Sequence, residues 1–254
     1  MAERQDIPAL EARGLTLSWD GTSLVTRDVS LTVLPGQIAC LVGKSGCGKT
    51  TILHALAGLT KPYAGRVFLH GEDVTSVPGR VSYMLQKDLL LPHLTILDNV
   101  CLPLVIAGES KSAARAAAAP LFARFDLEGV EEQWPAQLSG GMRQRAAFMR
   151  TYLMGNDVVL LDEPFSALDA IPRGEMRSWY CDMSRELGLA SVVITHDVDE
   201  AVFMADQIYV LQGQPSMGVP TTVSATVHPK RVDNFGLSEE YIAAKREVLS
   251  ALEA

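Results

Sequence analysis

A glycine-rich segment constrains this chain more than any other feature of its sequence. It is Gly43-Lys44-Ser45-Gly46-Cys47-Gly48-Lys49-Thr50, and it fits the pattern G-x-x-x-x-G-K-[ST]. A short apolar run at residues 38–42 precedes it, and a helical pattern at residues 51–59 follows it. A glycine-rich turn can match the pattern by accident, but a strand before it and a helix after it favour a phosphate-binding loop. The segment therefore predicts a nucleotide site.

The residues of this loop have separate predicted roles. Its glycines let successive backbone N–H groups curl around phosphate oxygens, and the dipole of the following helix adds to the attraction. Lys49 is placed for the β- and γ-phosphates, and the hydroxyl of Thr50 for Mg²⁺. Cys47 is interpreted as a spacer rather than a redox residue. As part of the loop backbone Cys47 is still a predicted nucleotide contact, and the others in the loop are Gly43, Ser45, Gly46, Gly48 and Thr51.

Two acids, Asp162 and Glu163, end a second apolar run at residues 158–161. The ends of parallel strands open onto the ligand crevice, so acids there face the chemistry. We assign Asp162 to the metal ion and Glu163 to polarising the attacking water. A solvated acidic turn is the alternative, but it is less plausible in a chain that also carries a phosphate loop.

The segment Leu138-Ser139-Gly140-Gly141-Met142-Arg143-Gln144 forms a second candidate anion site. Ser139 is a natural N-cap, and Ser-Gly-Gly at a helix start presents free N–H groups to phosphate. An ordinary capped helix would look the same in isolation. If both segments grip phosphate, either they fold onto one site or the second serves a nucleotide on another chain.

The remaining pattern indicates an α/β fold with a parallel sheet. Short apolar runs without polar alternation are typical of strands buried on both faces. Residues 1–36 instead alternate around an Asp20-Gly21 turn, which predicts an antiparallel β arm. Residues 87–155 have a helical pattern, and residues 212–254 form a tail that ends in an amphipathic stretch. The predicted buried strands are 38–42, 81–85, 158–161, 192–194 and 208–211, and two further predicted helices are 174–187 and 198–205.

Composition limits the class of protein. The 254 residues carry a net charge of −8, which argues against a general nucleic-acid binder. The most apolar stretch, residues 89–107, falls short of the roughly 18 uninterrupted apolar residues of a membrane-spanning helix, and the first residues lack the apolar core of a signal peptide. The cysteines suggest neither a zinc site nor a disulfide set. We expect a soluble, reduced, intracellular protein.

The motifs resemble those of the ATP-binding subunits of ABC transporters over about residues 10–211. The phosphate loop resembles the family's Walker A motif, residues 158–163 its Walker B motif, and residues 138–142 its signature motif. Gln86 is similar to the Q-loop glutamine that touches Mg²⁺ and its water. Ser166-Ala167-Leu168-Asp169 resembles the D-loop, and Thr195-His196-Asp197 the switch region.

The resemblance implies a division of roles within a Mg²⁺- and ATP-dependent hydrolase. Glu163, His196, Lys49 and Gln86 are the expected catalytic residues, with His196 at the γ-phosphate. Thr50, Gln86 and Asp162 are the expected metal ligands. Asp169 is expected to contact nucleotide. Trp19 matches the aromatic residue that stacks on adenine, although strand alternation with Leu15 and Leu17 would make it a core residue instead.

The resemblance also implies one ABC ATPase domain over residues 1–254. It would contain the β arm (1–36), a P-loop NTPase core of RecA-like type (37–86 and 156–211), an inserted α-helical subdomain carrying the signature (87–155) and the tail (212–254). It implies a head-to-tail homodimer, in which Ser139 and Gly141 of one subunit close over phosphates held by Lys49 of the other. Gly140 is a further expected nucleotide contact.

A separate integral-membrane permease is the implied partner, and a substrate-binding protein an indirect one. The permease would dock near residues 86–94, where Leu89, Leu90 and Leu91 form an apolar patch expected to be exposed. The chain would then work as a peripheral protein at the cytoplasmic face of the cell membrane. No nucleic-acid partner is expected.

Finer features resemble one group of bacterial importers, those for nitrate, sulfonate, taurine and thiamine-precursor pyrimidines. The segments that carry this likeness are 89–92, 162–170, 197–211 and the basic 228–231, whereas Pro172 and Gly174 depart from the group's pattern. The solute would be a small anion or a thiamine-precursor-type molecule. The alternatives are an ATPase subunit of a lipid transporter or exporter, and a non-transport ABC ATPase. Proteins of the last kind usually carry two cassettes or a long coiled-coil insertion, and neither is visible here.

Overall fold

The computed structural model of this chain describes residues 7–232 and 235–253, whose strands form one mixed sheet. In spatial order the strands run β5-β4-β1-β2-β10-β9-β3-β8-β7-β6. Their bounds are β1 Leu10–Ser18, β2 Leu24–Val33, β3 Ile38–Gly43, β4 Ala64–Leu69, β5 Glu72–Asp73, β6 Ser82–Met84, β7 Val158–Asp162, β8 Ala190–Thr195, β9 Gln207–Gln214 and β10 Val219–Val227. The helices are α1 Lys49–Leu56, α2 Ile96–Ile106, α3 Lys111–Ala118, α4 Leu121–Arg124, α5 Gly140–Tyr152, α6 Ala170–Leu187, α7 Val198–Met204 and α8 Glu239–Glu253.

The sheet has a parallel half and an antiparallel half. Strands β6, β7, β8, β3 and β9 are parallel neighbours, which confirms the predicted α/β core. Strands β1 and β2 pair antiparallel and form the predicted arm, with Leu10 opposite Val33. Strands β4 and β5 extend this antiparallel half beyond β1, which corrects the assignment of residues 64–73 to the parallel core. Between β6 and β7 the chain is helical from α2 to α5, in line with the predicted helical subdomain.

The parallel strands are buried on both faces because two cores lie against them. Ala39 and Leu41 of β3 point into the core shared by the β arm and α1. Ile38, Cys40 and Val42 point into the core built with the helices on the opposite face. This explains why β3 reads as a continuous apolar run rather than an alternating one.

The segment after residue 211 is part of the sheet, which corrects its description as a separate tail. β9 continues to Gln214, and β10 pairs antiparallel with it and touches β2 through Thr221 and Thr26. β10 therefore joins the β arm to the parallel core. Only α8, at the end, has the amphipathic helical character that the sequence predicts there.

No helix in the described part of the chain combines the length and the apolar composition needed to cross a membrane.

Candidate nucleotide-binding site

The phosphate loop closes around its own lysine. β3 ends at Gly43 and α1 begins at Lys49. The buried Nζ of Lys49 donates to the carbonyl oxygens of Gly43 at 2.7 Å and Lys44 at 3.1 Å. The N-cap Gly48 has φ +94°, and a Cβ there would lie 2.7 Å from Cγ1 of Val25. The loop thus needs glycine at this position for both its backbone angle and its packing.

Cys47 is a buried spacer in this loop. Its side chain is 1% exposed, and its backbone N–H donates to Lys44 O at 3.2 Å. Its carbonyl oxygen accepts from the hydroxyl of Thr221 in β10. Burial raises the pKa of the Cys47 thiol, which opposes the thiolate form that redox reactions need.

Thr50 and Asp162 meet at the carboxyl end of the sheet. The Thr50 hydroxyl donates to Oδ2 of Asp162 at 3.0 Å. Burial raises the pKa of Asp162, and the neighbouring Glu163 adds to that effect, while the Thr50 bond opposes it. A hydroxyl and a carboxylate oxygen are ligands that suit Mg²⁺, which binds through one or two carboxylates together with substrate phosphates. Within residues 7–232 and 235–253 no cluster of three or more His, Cys, Asp or Glu side chains offers a metal cage.

Glu163 lies at the centre of a polar cluster. Its Oε2 is 3.2 Å from Nε2 of Gln86 and 3.2 Å from Nδ1 of His196. Its backbone has φ +45°, an uncommon value for a residue with a Cβ, and its N–H donates to Ile194 O of β8. The structure therefore brings together three of the four predicted catalytic residues, on the ends of adjacent strands.

Gln86 contacts Glu163 and Ser166. Its Nε2 lies 3.2 Å from Glu163 and 3.4 Å from Oγ of Ser166. Ser166 also donates to the carbonyl oxygen of Glu163 at 2.9 Å. The sequence places Ser166 in the segment that resembles the D-loop but predicts no role for its side chain. The signal available was its position three residues after Glu163, where a hydroxyl can bond back to a turn carbonyl.

Trp19 is exposed, so its interpretation as a core residue is wrong. Leu15 and Leu17 are fully buried, whereas Trp19 is 63% exposed. The β1–β2 register shifts between Leu17 and Ser18, and β1 ends at Ser18. An irregularity of this kind breaks the two-residue alternation and turns the next side chain outward. The indole is thereby available for stacking.

The signature segment forms the N-terminus of α5. Ser139 is the N-cap, and its hydroxyl oxygen accepts from the N–H of Met142 at 3.3 Å. Ser139, Gly140 and Gly141 line a cavity of about 570 Å³ together with Asp169, the N-cap of α6. The phosphate loop borders a different cavity through Lys44 and Ser45.

An apolar groove lies between the helical subdomain and the strand β6. It has a volume of about 650 Å³, and its lining includes Leu85, Leu89, Ile106 and Met154. Leu89 is 50% exposed and Leu91 37%, but Leu90 is 7% exposed, which corrects the predicted three-leucine patch.

The loop before α2 owes its shape to buried Asn99, which sequence reasoning missed. Its Oδ1 accepts from the N–H of Leu91, and its Nδ2 lies within 3.2 Å of the carbonyl oxygens of Leu91, Leu94 and Thr95. Polar side chains in helix-entry segments such as Thr95–Asn99 often satisfy loop backbone groups, which is the signal that was available. This folding of the loop turns Leu90 inward and leaves its two neighbours outward.

Comparisons with known proteins give the family of this chain. The family described as "ABC transporter" matches residues 26–166. The formylaminopyrimidine import ATP-binding protein ThiZ of Halalkalibacterium halodurans is 39% identical over 204 residues, 80% of this chain and 80% of that protein. The aliphatic sulfonates import ATP-binding protein SsuB 1 of Rhizobium johnstonii is 39% identical over 232 residues, 91% of this chain and 82% of that protein.

Solved structures support the same assignment. The dimeric structure of MJ0796, a bacterial ABC transporter cassette, superposes with a TM-score of 0.72 at 25% identity and covers 88% of this chain and 100% of that chain. The order of the motifs, the geometry of the loop and acids, and these matches lead to one conclusion. The chain belongs to the ABC transporter family, as the resemblance of its motifs predicts.

Proposed function

We propose that this chain binds and hydrolyses Mg²⁺-ATP and thereby powers the import of a small solute through a separate membrane permease. The observation that carries the proposal is the contact of Glu163 with both Gln86 and His196, beside the Thr50–Asp162 pair. This arrangement supplies an acceptor for a water proton, a donor near the phosphates and oxygen ligands for a cation. Relatives named as import ATP-binding proteins favour the direction of transport.

Each group has a definite task in this mechanism. Lys49 exchanges its bonds to the Gly43 and Lys44 carbonyls for phosphate oxygens, which carry more negative charge. Mg²⁺ would be held by Thr50 and Asp162, where it neutralises phosphate charge. Glu163 accepts a hydrogen bond from the attacking water and then takes up its proton, while His196 donates a hydrogen bond to the γ-phosphate. Gln86 keeps the Glu163 carboxylate in place.

A head-to-tail homodimer completes the site in this proposal. The signature residues and the phosphate loop of one chain border different cavities, which supports pairing each with its counterpart on a second copy. The dimeric MJ0796 cassette is a relative in which two copies associate. Ser139 and the N–H groups at the start of α5 would then bind the phosphates of the partner's nucleotide.

The permease would dock in the apolar groove that contains Leu89 and Ile106. Their exposed side chains, 50% and 83%, are the apolar surface that a helix of a membrane protein can cover. Arg150 of α5 donates to the carbonyl oxygens of Asp88 and Leu89, and these bonds hold the loop in shape. Docking there would place the membrane protein next to Gln86.

The solute class rests on the relatives alone. ThiZ is named for formylaminopyrimidine and SsuB 1 for aliphatic sulfonates. We therefore propose a small anion or a thiamine-precursor-type pyrimidine. In this scheme the solute binds the permease and its binding protein, so no residue of this chain selects it.

Affinity capture from detergent-solubilised host membranes tests the proposal. We expect the wild-type chain to capture a protein with several membrane spans. The double variant Leu89→Glu/Ile106→Glu should fail to capture that protein but should still bind ATP. Leu237→Glu, at an exposed leucine outside the groove, is the matched control. The captured complex, placed in lipid vesicles, should show ATP-dependent uptake of a sulfonate or pyrimidine from the face opposite this chain. Movement in the other direction would establish an exporter instead, and absence of ATP hydrolysis would refute the proposal.

A further inference from the structure

The last helix is bonded to the helix that follows the switch residues. The Tyr241 hydroxyl of α8 donates to Oδ1 of Asp199 at 2.7 Å. Nζ of Lys245, one turn further along α8, lies 2.7 Å from Oδ1 and 2.9 Å from Oδ2 of the same carboxylate. Asp199 is in the first turn of α7. One carboxylate thus receives two donors from α8 and fixes the start of α7 to it.

The start of α7 in turn determines the path of the chain through His196. Asp197 caps α7 by accepting from the N–H groups of Asp199 at 2.8 Å and Glu200 at 3.2 Å. The buried carboxylate of Glu200 accepts from the Thr195 hydroxyl at 2.7 Å, and that hydroxyl accepts from the Asp197 N–H at 3.0 Å. His196 is therefore held between β8 and α7 by bonds on both sides. A shift of α7 would move its ring.

The other end of α8 lies against β9, the strand that pairs with β3 where the phosphate loop begins. Nε2 of Gln212 donates to the carbonyl oxygen of Ala251 near the end of α8. Gln212 follows Leu211, the residue of β9 that pairs with Gly43. Leu252 and Glu253 line the same cavity as Lys44 and Ser45 of the loop. The helix thus spans from the switch segment to the strand that backs the phosphate loop.

We infer that α8 is a positioning element of the ATPase site, and that Tyr241 and Lys245 are its positioning residues. By holding Asp199 they fix α7, and through α7 they fix the 3.2 Å approach of His196 to Glu163. The inference rests on the proposed hydrolysis of ATP. It gives a role to the C-terminal segment, which carries none of the nucleotide motifs.

The geometry predicts a selective effect on the hydrolytic step. His196 would act after ATP is bound, whereas Lys49 and Trp19 dominate binding of the ground state. Loss of positioning should therefore lower kcat and leave KM nearly unchanged. Because a hydrogen bond makes only a modest net contribution to free energy, loss of the bonds from Tyr241 and Lys245 corresponds to a change in rate of about threefold to tenfold. A purely structural role would instead lower thermal stability without this selectivity.

The test uses the full chain with Tyr241→Phe and Lys245→Gln combined. We expect kcat for ATP to fall about threefold to tenfold and KM to change by less than about twofold. Lys245→Arg, which keeps a donor and the charge, should restore most of the rate. Arg246→Gln is the matched control, because Arg246 is exposed on the same helix and enters no ion pair in the part of the chain that the structure describes. Assays at several protein concentrations reveal any loss that arises from weaker dimerisation.

Amide hydrogen exchange supplies a second readout that does not depend on turnover. In the double variant, exchange should accelerate at Asp197, Asp199 and Glu200, while the amides of β3 stay protected as in the wild type. Equal kcat in the double variant and the wild type would overturn the inference, as would acceleration spread over the whole chain. If the wild-type chain itself fails to hydrolyse ATP, the proposed function fails. If the wild-type chain hydrolyses ATP and the double variant does so at the same rate, the positioning role alone fails.

Discussion

The hydroxyl of Thr50 donates a 3.0 Å hydrogen bond to Oδ2 of Asp162 across 112 positions of sequence. The bond joins the start of α1 to the end of β7, so it connects the predicted phosphate loop to the strand that ends in the predicted metal ligand. It also compensates part of the cost of placing a carboxylate where only 8% of the residue is exposed.

This burial has a measurable consequence for stability. Because burial raises the pKa of Asp162 in the folded chain, the ionised carboxylate destabilises the native state at neutral pH. Asp162→Asn should therefore stabilise the metal-free protein, by on the order of 1 kcal/mol, while it abolishes Mg²⁺-dependent hydrolysis. Thermal unfolding in a chelator measures this gain.

The stability difference between the wild type and Asp162→Asn should depend on pH. Below the usual carboxyl pKa both proteins have a neutral side chain and should unfold alike. As the pH rises through the raised pKa, the wild type alone acquires the buried charge, so the difference in favour of Asp162→Asn should grow and then level off. Asp182→Asn, at an exposed position of α6, is the control. A difference that shrinks with rising pH would contradict the argument.

Replacement of Glu163, the proposed water-activating acid, should separate ATP binding from ATP hydrolysis. Glu163→Gln keeps the size of the side chain and an oxygen that can accept from Nε2 of Gln86, but it cannot accept a proton at neutral pH. Phosphate release should fall by at least about 100-fold, the usual effect of losing a general base, while ATP binding remains. A phosphate-release assay measures hydrolysis. Light scattering in the presence of ATP measures the ATP-bound dimer, which should accumulate. Glu109→Gln, exposed between α2 and α3, is the control; retained hydrolysis in Glu163→Gln would assign the base elsewhere.

Two lysines of the phosphate loop provide a matched pair. Lys49 is buried and bonds two loop carbonyls, whereas Lys44 is exposed. Lys49→Ala should weaken ATP binding by about tenfold to a hundredfold, because bonds to charged phosphate are worth about 1.5–3 kcal/mol. Lys44→Ala should change it by less than about threefold. Calorimetry measures both, and thermal unfolding shows whether each variant is folded. Similar affinities in the two variants would remove Lys49 from its role.

An ion-pair cluster predicts how the helical subdomain responds to acid. Asp98 in the first turn of α2 bonds Arg115 at 2.8 Å and Lys111 at 2.9 Å, both from α3. The hydrogen bond from Arg115 is the main cause of the lowered pKa of Asp98 in the folded chain. The stabilisation is therefore present above the usual Asp pKa and is lost as the pH falls through the lowered one.

Asp98→Asn should remove that stabilisation. At neutral pH its free energy of unfolding should fall by about 1 kcal/mol, and the gap from wild type should close in acid. Denaturant unfolding at several pH values measures it. Glu132→Gln, which contacts Arg115 from a 67% exposed position, should cost much less. A gap that stays constant with pH would show that Asp98 acts through packing.

The local parts of the fold could be predicted from sequence, and the long-range parts could not. β3, the phosphate loop and α1 are adjacent in sequence, so their patterns carry the information. β10 contains Pro220 and is held in the sheet by pairing with β9 and by the Thr221–Thr26 contact, neither of which is visible locally. β4 was missed for the same reason, since its partner β1 lies about fifty residues earlier.

The candidate site also combines local features that the sequence predicts with long-range contacts that it does not. Motif residues such as Glu163 and His196 could be named from sequence, whereas their common contact depends on β7 and β8 being neighbours. Ser166 and Asn99 each carry a local sequence signal, but the carbonyl and N–H groups that they bond depend on the backbone conformation of the folded loops. The Leu17–Ser18 register shift also turned Trp19 out of the core, against simple alternation.

The exposed indole of Trp19 leads to a prediction that isolates base recognition. Stacking of a base on an aromatic ring is worth about 1–3 kcal/mol, so Trp19→Ala should weaken ATP binding by roughly fivefold to 150-fold. Trp19→Phe should keep most of the affinity because it retains an aromatic face. Inorganic tripolyphosphate with Mg²⁺ has no base, so its binding should be the same in all three proteins. If Trp19→Ala weakens ATP and tripolyphosphate equally, the residue supports the phosphate loop and does not stack on adenine.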